Sequence, residues 1–507
     1  MHKFSKSFLM LSLPLLSVFA LSGCGKKDAV RVLRILNCED YIYEYENGDE
    51  EYSSGGNDYK MDMVDQFIEY WKINHENEEI EIVYDTFDTN ETMFNELKTG
   101  KTTYDVIVPS DYMVQKLLSN NMLEKFDDDQ FDALWENISP YLKDKFEGIK
   151  AENGESIVQY SIPYMWGTVG VMYNPNYYKN EKGLEEDKVH ELFADWDSLY
   201  GKELQGSFSI KDSVRDTYAV SLIHAYRDEI AEVSSNEELT TIFNRHEANN
   251  IADVKADMLK LKENAFGFEC DSGKTDMTAE KIGANMCWSG DATWAITEAE
   301  EFDLELYYSI PTAYNGDETK GASNVWFDGF CMPKSADLHK DLAQEFIKFM
   351  SQPENAAQNC YCVGYTPGVA GDAMLDYVYD SYDVRGAVGE LSDEEYVEYD
   401  LRYFFKDSLN EYSEADAIIH AYPEVVGRQL TAQYPSNDIL DRLAIMNDFG
   451  PEGNVRLLDM WEQVRTNKLP VWGIIVIAVE GAGAIALAVY LIVHKVNRKR
   501  FKKHRSA

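Results

Sequence analysis

Short apolar runs rich in β-branched residues alternate with segments of helical apolar spacing near the beginning of this 507-residue chain. This order is typical of α/β layers, in which a helix returns the chain between parallel strands of one sheet. Asn90 and Ser110 stand where helix caps are expected. The predicted strands are 30–36, 79–84 and 104–108, and the predicted helices are 61–71, 90–98 and one that opens at 109–110.

Two polar segments directly follow predicted strands of this sheet. Residues 37–41 (NCEDY) follow the first strand and residues 110–112 (SDY) follow the third. Ligands of open α/β sheets bind beyond the carboxyl ends of the strands. We therefore expect both segments to lie on the rim of a binding site.

The N-terminal end reads as an export signal. Lys3 and Lys6 precede the apolar run 8–21, which is too short for an ordinary membrane span. The following residues Leu-Ser-Gly-Cys, ending at Cys24, resemble the lipobox of bacterial lipoproteins. We expect a signal peptide at 1–23, a lipidated Cys24 and a linker at 24–29; the alternative is a plain signal peptide with an incidental cysteine.

A second apolar segment lies near the C-terminus. Residues 470–493 contain one ionisable side chain, Glu480, and are long enough to cross a bilayer as a helix. The basic tail 494–507 should remain cytoplasmic by the positive-inside rule. We therefore predict a transmembrane helix at 469–493 and an extracellular domain before it, followed by a tail too short to be an output domain.

The net charge restricts the partners. Lysine and arginine number 47 against 90 acids, a formal charge of −43, which is the wrong sign for a nucleic-acid-binding surface. An acidic surface favours a cationic ligand over an anionic one. The alternative is that the charge only keeps the surface soluble.

Motifs for catalysis and for metals are missing from the sequence. It contains no nucleophile elbow, no zinc-protease motif, no phosphate-binding loop and no dinucleotide fingerprint. Cys360 and Cys362 have no second half at metal-ligand spacing, so no metal site is predicted. The six cysteines other than Cys24 are interpreted as mostly buried apolar residues. We expect no enzymatic activity and no cofactor.

Aromatic and acidic residues are adjacent in several short segments. Taken together they describe a box of ring faces and negative charges that suits an aliphatic cation, because ammonium groups bind both rings and carboxylates. Taken singly, each is also explained as a packed ring beside a solvated acid. The segments are 39–41 (EDY), 110–112 (SDY), 288–291 (WSGD) and 326–328 (WFD), with Asp212, Asp216 and Tyr365.

The order of these segments resembles the substrate-binding proteins of bacterial spermidine/putrescine ABC transporters. The resemblance implies an α/β, two-lobed, periplasmic-binding-protein-like fold of type II with hinge crossings. It also implies a cell-surface receptor that captures a polyamine and delivers it to a permease. The implied lobes are 30–164 with 326–372, and 165–325 with 373–465. The resembling stretches are LRILNCEDYI (33–42), YDTFDTNETMFNELKTG (84–100), YDVIVPSDYMVQKL (104–117), YSIPYMWGTVGVMYN (160–174), DSVRDTY (212–218), MCWSGDATWA (286–295), NVWFDGFCMPKSA (324–336) and VGYTPG (363–368).

The resemblance also assigns roles to individual residues. Asp328 and Asp216 would pair with one terminal ammonium, and Asp40 would lie nearer the other end. Ser110 and Tyr112 would contribute hydroxyl groups to the lining. The rings placed around the methylene chain are those of Tyr41, Trp288, Trp326 and Tyr365.

This sequence departs from the family pattern at four positions. Asp216 is shorter than the expected glutamate, and Ser213 replaces a second acid, so that Asp212 or water would have to serve instead. Cys38 stands where tryptophan is expected, and Met446 where glutamine is expected. The preferred polyamine therefore stays open. The alternatives are a receptor of the same fold for another cationic or amino-bearing solute, an extracellular hydrolase, and an adhesion module.

Overall fold

The computed structural model describes residues 30–45, 53–54, 57–58, 61–269, 272–335, 338–385 and 396–466. The predicted signal peptide 1–23, the predicted lipidation site Cys24, the linker 24–29, the span 469–493 and the tail 494–507 lie outside these ranges. Within them, no helix combines the length and the apolar character that a membrane crossing requires.

The strands begin and end within a few residues of the predicted ones, because the β-branched apolar runs fill the interior of the sheet. The strands are β1 Arg31–Cys38, β2 Ser53–Ser54, β3 Asn57–Asp58, β4 Ile80–Phe87, β5 Val106–Ile107, β6 Leu123–Glu124, β7 Ser161–Tyr173, β8 Phe208–Lys211, β9 Gly267–Glu269, β10 Ala284–Trp288, β11 Tyr307–Ser309, β12 Ser323–Pro333, β13 Thr366–Pro367, β14 Val397–Asp400, β15 Ile418–Ala421 and β16 Leu443–Ile445.

Helices cover the faces of this sheet. They are α1 Met63–Asn74, α2 Asn90–Thr99, α3 Asp111–Ser119, α4 Phe131–Trp135, α5 Pro140–Gly148, α6 Pro175–Lys182, α7 Glu186–Phe193, α8 Val214–Ile230, α9 Asn236–Phe243, α10 Ala248–Asn264, α11 Ser272–Thr278, α12 Ser289–Glu300, α13 Lys340–Met350, α14 Pro353–Val363, α15 Asp372–Tyr382, α16 Arg402–Phe405, α17 Pro423–Val425, α18 Thr431–Gln433, α19 Asn437–Leu440 and α20 Gly450–Arg465.

Two long strands connect two parallel halves. The sheet runs in the order β4-β1-β5-β12-β7-β10-β8-β9, in which β4, β1 and β5 are mutually parallel and β10, β8 and β9 form a second parallel group. Between the two groups, β7 and β12 pair antiparallel, and every residue of both strands is buried. These two strands occupy the place of the predicted hinge crossings. The carboxyl ends of both parallel groups border the same space.

The segment after the second crossing packs against elements of the expected first lobe. Helix α15 contacts α14, and α16 contacts α5, whereas α20 contacts α10 of the expected second lobe. The lobe boundary at 372/373 is a prediction, and these contacts indicate that the chain returns to the second lobe only after β15.

One predicted cap is wrong. Helix α2 is capped by Thr89, whose hydroxyl accepts a hydrogen bond from the amide of Thr92 at 3.2 Å. The side chain of Asn90 instead joins two loops of the rim: its Oδ1 accepts from the amide of Ser110 at 3.0 Å, and its Nδ2 donates to Ser110 Oγ at 2.9 Å. Ser110 is the cap position of α3, but its hydroxyl makes no capping bond for this reason.

The described cysteines agree with the interpretation as apolar residues in three cases. Cys287, Cys331 and Cys360 are buried and do not form disulfides, whereas Cys38 and Cys362 are half-buried. Cys270 lies outside the described residues.

Candidate functional site

A cavity of about 310 Å³ lies between the carboxyl ends of the two parallel strand groups. Such a concave site, bordered by both groups and by the crossing strands, is where a small ligand of this architecture is expected. The cavity brings together every site residue predicted from the sequence: Cys38, Asp40, Tyr41, Ser110, Tyr112, Asp212, Ser213, Asp216, Trp288, Trp326, Asp328 and Tyr365.

The cavity also contains residues that the sequence interpretation did not select. Residues 87–91 follow β4 just as 38–41 follow β1, so their position after a parallel strand was a usable signal. Asp111 and Asp291 lie in the segments 110–112 and 288–291, but neither is among the residues predicted to bind the ligand. Lys274 and Arg215 had no sequence signal, because nothing in a helical pattern marks a cation as facing an acidic cavity.

Asp328 lies at an irregularity in the long strand β12. The register of the β7–β12 pairing shifts between Asp328 and Gly329, and such bulges redirect a side chain. Tyr41 donates its hydroxyl to Asp328 Oδ2 at 2.8 Å, whereas Oδ1 is buried and accepts no well-formed hydrogen bond from the described residues. Burial raises the pKa of Asp328 to about 6, although the hydroxyls of Ser110 and Tyr41 favour its ionised form. The carboxylate therefore has one unused acceptor in the cavity.

Asp216 is the second carboxylate at this end of the cavity. It lies in the first turn of α8 and is buried, and the indole Nε1 of Trp288 donates to its Oδ2 at 3.0 Å. Burial raises the pKa of Asp216, and its charge in turn raises the pKa of Asp328. Two buried acids that repel each other favour a cation between them.

Asp111 adds a third buried acid nearby. Its Oδ1 accepts from the amide of Tyr112 at 2.6 Å, and its Oδ2 has no hydrogen-bond partner among the described residues. Burial raises the pKa of Asp111, while Arg215 opposes the rise. The guanidinium of Arg215 lies over the ring of Tyr112, 5.0 Å from its centroid, so this end of the cavity also contains a cation of the protein. The Tyr112 hydroxyl donates to Glu91 at 3.2 Å.

A buried ion pair fixes Asp291, another acid that lines the cavity. Lys211 Nζ donates to Asp291 Oδ2 at 2.9 Å and lies 4.1 Å from the ring centroid of Trp288. Tyr365 donates its hydroxyl to Asp291 Oδ1 at 2.9 Å. Burial alone would raise the pKa of Asp291, but Lys211 and Lys274 more than offset it and lower that pKa. Asp291 is therefore ionised and already compensated by the protein.

Lys274 brings a second ammonium group close to Asp291. Its Nζ lies 3.8 Å from Asp291 Oδ1 and 3.8 Å from Asp40 Oδ2. Asp40 has a left-handed backbone (φ 50°), and its side chain is 84% exposed. Asp40 is thus at the mouth of the cavity, beside a lysine of the protein.

One wall of the cavity is aromatic. The rings of Tyr41 and Tyr365 meet edge to face with centroids 4.9 Å apart, and Trp326 lies 5.9 Å from Tyr365. Gly167 permits this position of Trp326, because a Cβ at residue 167 would come 2.7 Å from Cζ2 of the indole. These rings present apolar surface to the space beside Asp328.

Asp212, which the resemblance offered as a substitute for the missing second acid, is already paired with a cation of the protein. Arg465 at the end of α20 lies 2.8 Å from Asp212 Oδ2. Ser213 precedes α8, and its hydroxyl lowers the pKa of Asp216 by hydrogen bonding. Met446 also lines the cavity and offers no charge.

The sum of these charges defines what the site can hold. Nine acidic and three basic residues are among the described residues that line the cavity, so a cation is favoured over an anion. No cluster of described side chains suits a metal ion. Buried carboxylates beside ring faces bind an organic ammonium group by charged hydrogen bonds and cation–π contact.

Comparisons with known proteins identify the family of the chain. Residues 63–374 match the family described as bacterial extracellular solute-binding protein. Over 300 residues the chain is 26% identical to the spermidine/putrescine-binding periplasmic protein of Escherichia coli (strain K12), covering 58% of this chain and 73% of that protein. Over 392 residues it is 26% identical to the putrescine-binding periplasmic protein SpuD of Pseudomonas aeruginosa (strain UCBPP-PA14), covering 74% and 87%. The family and these relatives are solute-binding proteins, not enzymes.

Solved structures confirm the two-lobed α/β architecture. The spermidine/putrescine ABC transporter substrate-binding protein of Streptococcus pneumoniae superposes with a TM-score of 0.52 at 23% identity, covering 86% of this chain and 100% of that one. A lipoprotein of Treponema pallidum superposes with a TM-score of 0.53 at 19% identity, covering 86% and 99%.

Proposed function

Because this chain belongs to the bacterial extracellular solute-binding protein family, we propose that it captures a polyamine between its lobes and presents it to the permease of an ABC transporter. The names of its relatives support spermidine and putrescine as the ligand class. Closure of the two lobes around the ligand is the motion that hinge crossings permit.

The observation that carries this proposal is the unused Oδ1 of Asp328. A buried carboxylate oxygen that accepts no well-formed hydrogen bond is costly, and a ligand ammonium group removes that cost by a charged hydrogen bond. Asp216 offers a second carboxylate beside it, and Tyr41 holds Asp328 in place through Oδ2. The site thus binds a primary ammonium at this end.

The aromatic wall accounts for the aliphatic part of the ligand. The faces of Tyr41, Tyr365 and Trp326 offer apolar contact to a methylene chain that leaves Asp328. An alkyl chain gains about 25 cal/mol per Å² of apolar surface removed from water. A small inorganic cation has no apolar surface to bury against these rings.

The location belongs to the same proposal. A lipid on Cys24 and a helix at 469–493 would hold the domain outside the membrane at both ends, with 494–507 inside the cell. Glu480 within that helix is costly in a bilayer unless it is paired or protonated, so it either contacts a permease helix or is neutral. We propose one lobe as 30–164 with 326–372 and the segment that follows up to β15, and the other as 165–325 with the rest of the chain up to 465.

The experiment is isothermal titration calorimetry of the full-length chain in detergent with putrescine, spermidine, spermine, lysine and arginine. We expect saturable binding of at least one polyamine with a Kd well below that of either amino acid. Binding of a basic amino acid instead would assign the site to another cationic solute. Heat with none of the five would overturn the polyamine assignment.

A further inference from the structure

The two ends of the cavity differ in their local balance of charge. At one end Asp328 and Asp216 are buried, and neither has an ion-pair partner within 4 Å among the described residues, although Lys211 and Arg215 lower the pKa of Asp216 from a greater distance. At the other end Asp291 is paired with Lys211 at 2.9 Å, and Lys274 stands 3.8 Å from both Asp291 and Asp40. The acids at this second end are therefore already neutralised by lysines of the chain.

This arrangement disfavours a second ligand ammonium near Asp40. Such a group would lie close to the ammonium of Lys274, which is 3.8 Å from Asp40, and like charges in a closed cavity repel each other strongly. Lys274 is itself well placed to contact a ligand, because its side chain lines the cavity and is only 18% exposed. Both of its carboxylate distances exceed hydrogen-bond length, so its N–H groups can donate to an oxygen in the cavity.

We propose that Lys274 determines specificity, and that the site selects an amine with one cationic end and an oxygen-bearing, uncharged far end, such as an N-acylated diamine. The inference rests on the proposed function and specifies its ligand. The ammonium group binds at Asp328 and Asp216, the methylene chain lies along the rings, and the acyl oxygen accepts a hydrogen bond from Lys274. Lys211 keeps Asp291 from attracting a second cation.

The test compares putrescine with N-acetylputrescine, which share a four-carbon chain and differ in the charge of one end. Calorimetry on the full-length chain in detergent gives the ratio of the two dissociation constants. We expect the parent protein to bind N-acetylputrescine more tightly. Lys274→Met should shift the ratio at least tenfold toward putrescine, because it removes the repelling charge and the donor together. Lys274→Arg keeps the charge and should keep the parent preference.

A matched control is Lys281→Met. Lys281 follows the same helix, pairs with Asp276 at 3.0 Å and is 54% exposed away from the cavity. It should leave the ratio unchanged. Thermal unfolding of each ligand-free variant tests folding, and Lys274→Gln takes the place of the methionine variant if that one unfolds early.

The outcomes separate this inference from the function on which it rests. A ratio that is the same in the parent, Lys274→Met and Lys274→Gln, with both amines bound, would overturn the role of Lys274 and leave the amine receptor standing. Tighter binding of putrescine than of N-acetylputrescine by the parent would also overturn it. Absence of binding by any amine to any variant would overturn both.

Discussion

Nζ of Lys211 lies 2.9 Å from Oδ2 of Asp291; both side chains are buried, and Asp291 lines the cavity. Burial lowers the pKa of a lysine, but the attraction of Asp291 and Glu269 more than offsets it and raises the pKa of Lys211. The pair is therefore charged. It also orients Tyr365, whose hydroxyl donates to the other oxygen of Asp291.

Removal of one partner of this pair should destabilise the fold. Lys211→Met leaves Asp291 buried beside a more distant lysine, and we expect the free energy of unfolding to fall by about 3–5 kcal/mol. Urea unfolding followed by circular dichroism measures it. The double variant Lys211→Met/Asp291→Leu should recover part of the loss. As a control, Lys188→Met breaks an exposed pair with Glu191 and should cost no more than about 1 kcal/mol. An equal effect of the two single variants would contradict the prediction.

Asp328→Asn should weaken amine binding by at least tenfold. The substitution keeps the shape but removes the charge from the unused oxygen, and a hydrogen bond to a charged group contributes about 1.5–3 kcal/mol. Titration calorimetry measures the affinity. Unfolding of the ligand-free protein should change little or shift upward, since the buried charge is lost. The control is Asp144→Asn, because the Asp144 side chain is 79% exposed and lies outside the cavity. Unchanged affinity would remove Asp328 from the site.

The pKa of Asp328 predicts a pH dependence of binding. Burial raises this pKa from 3.8 to about 6, and it raises those of Asp216 and Asp111 as well. A cationic ligand needs the ionised form, so affinity should increase as pH rises through about 6 and then level off. Calorimetry at several values between pH 5 and 8 tests this. The increase should be smaller in Asp328→Asn, and an affinity independent of pH would contradict the prediction.

The raised pKa of Asp328 has the opposite effect on stability: binding improves as pH rises, whereas the contribution of this group to the stability of the fold decreases. The folded chain holds the proton of Asp328 more tightly than the unfolded chain does, because the folded pKa is the higher one. The contribution of this group to the free energy of unfolding therefore decreases as pH rises from 3.8 to about 6.

Gly290→Ala should impair binding by moving Tyr365. Gly290 lies in α12, and a Cβ there would overlap the ring of Tyr365, which cannot yield without losing its bond to Asp291. We expect at least a tenfold loss of affinity in calorimetry, together with a destabilisation of about 1–3 kcal/mol from overpacking. Gly148→Ala is the matched control, because nothing lies within 4 Å of its Cβ position at the end of α5. Normal binding by Gly290→Ala would show that Tyr365 is not needed in this position.

The two proposed anchors can be separated by fractionation. Cys24→Ala should abolish lipid labelling yet leave the chain in the membrane, because the segment 469–493 still holds it. Deletion of 469–507 alone should also leave it there through the lipid. Only the combination should release the chain, since either anchor suffices. Release by the deletion alone would contradict lipidation at Cys24.

Much of the rim could be predicted because it depends on local order along the chain. Parallel strands of one sheet bring their carboxyl ends to the same edge, so 38–41 and 110–112 meet although they are far apart in the sequence. The same rule also places 87–91, which the sequence interpretation overlooked. The aromatic and acidic segments predicted a cation-binding cavity for a related reason, because rings and carboxylates attract cations wherever packing brings them together.

The sequence by itself therefore determined the α/β order, the rim and the acidic character of the cavity. Only the tertiary structure decided which acids are available to a ligand. Lys211 and Asp291 are 80 positions apart, and their contact depends on how β8, β10 and α12 pack. Packing likewise brings Asn90 into a hydrogen bond with Ser110, so that Thr89 caps α2 instead. Long-range side-chain pairs arise from three-dimensional proximity, which composition and periodicity do not encode.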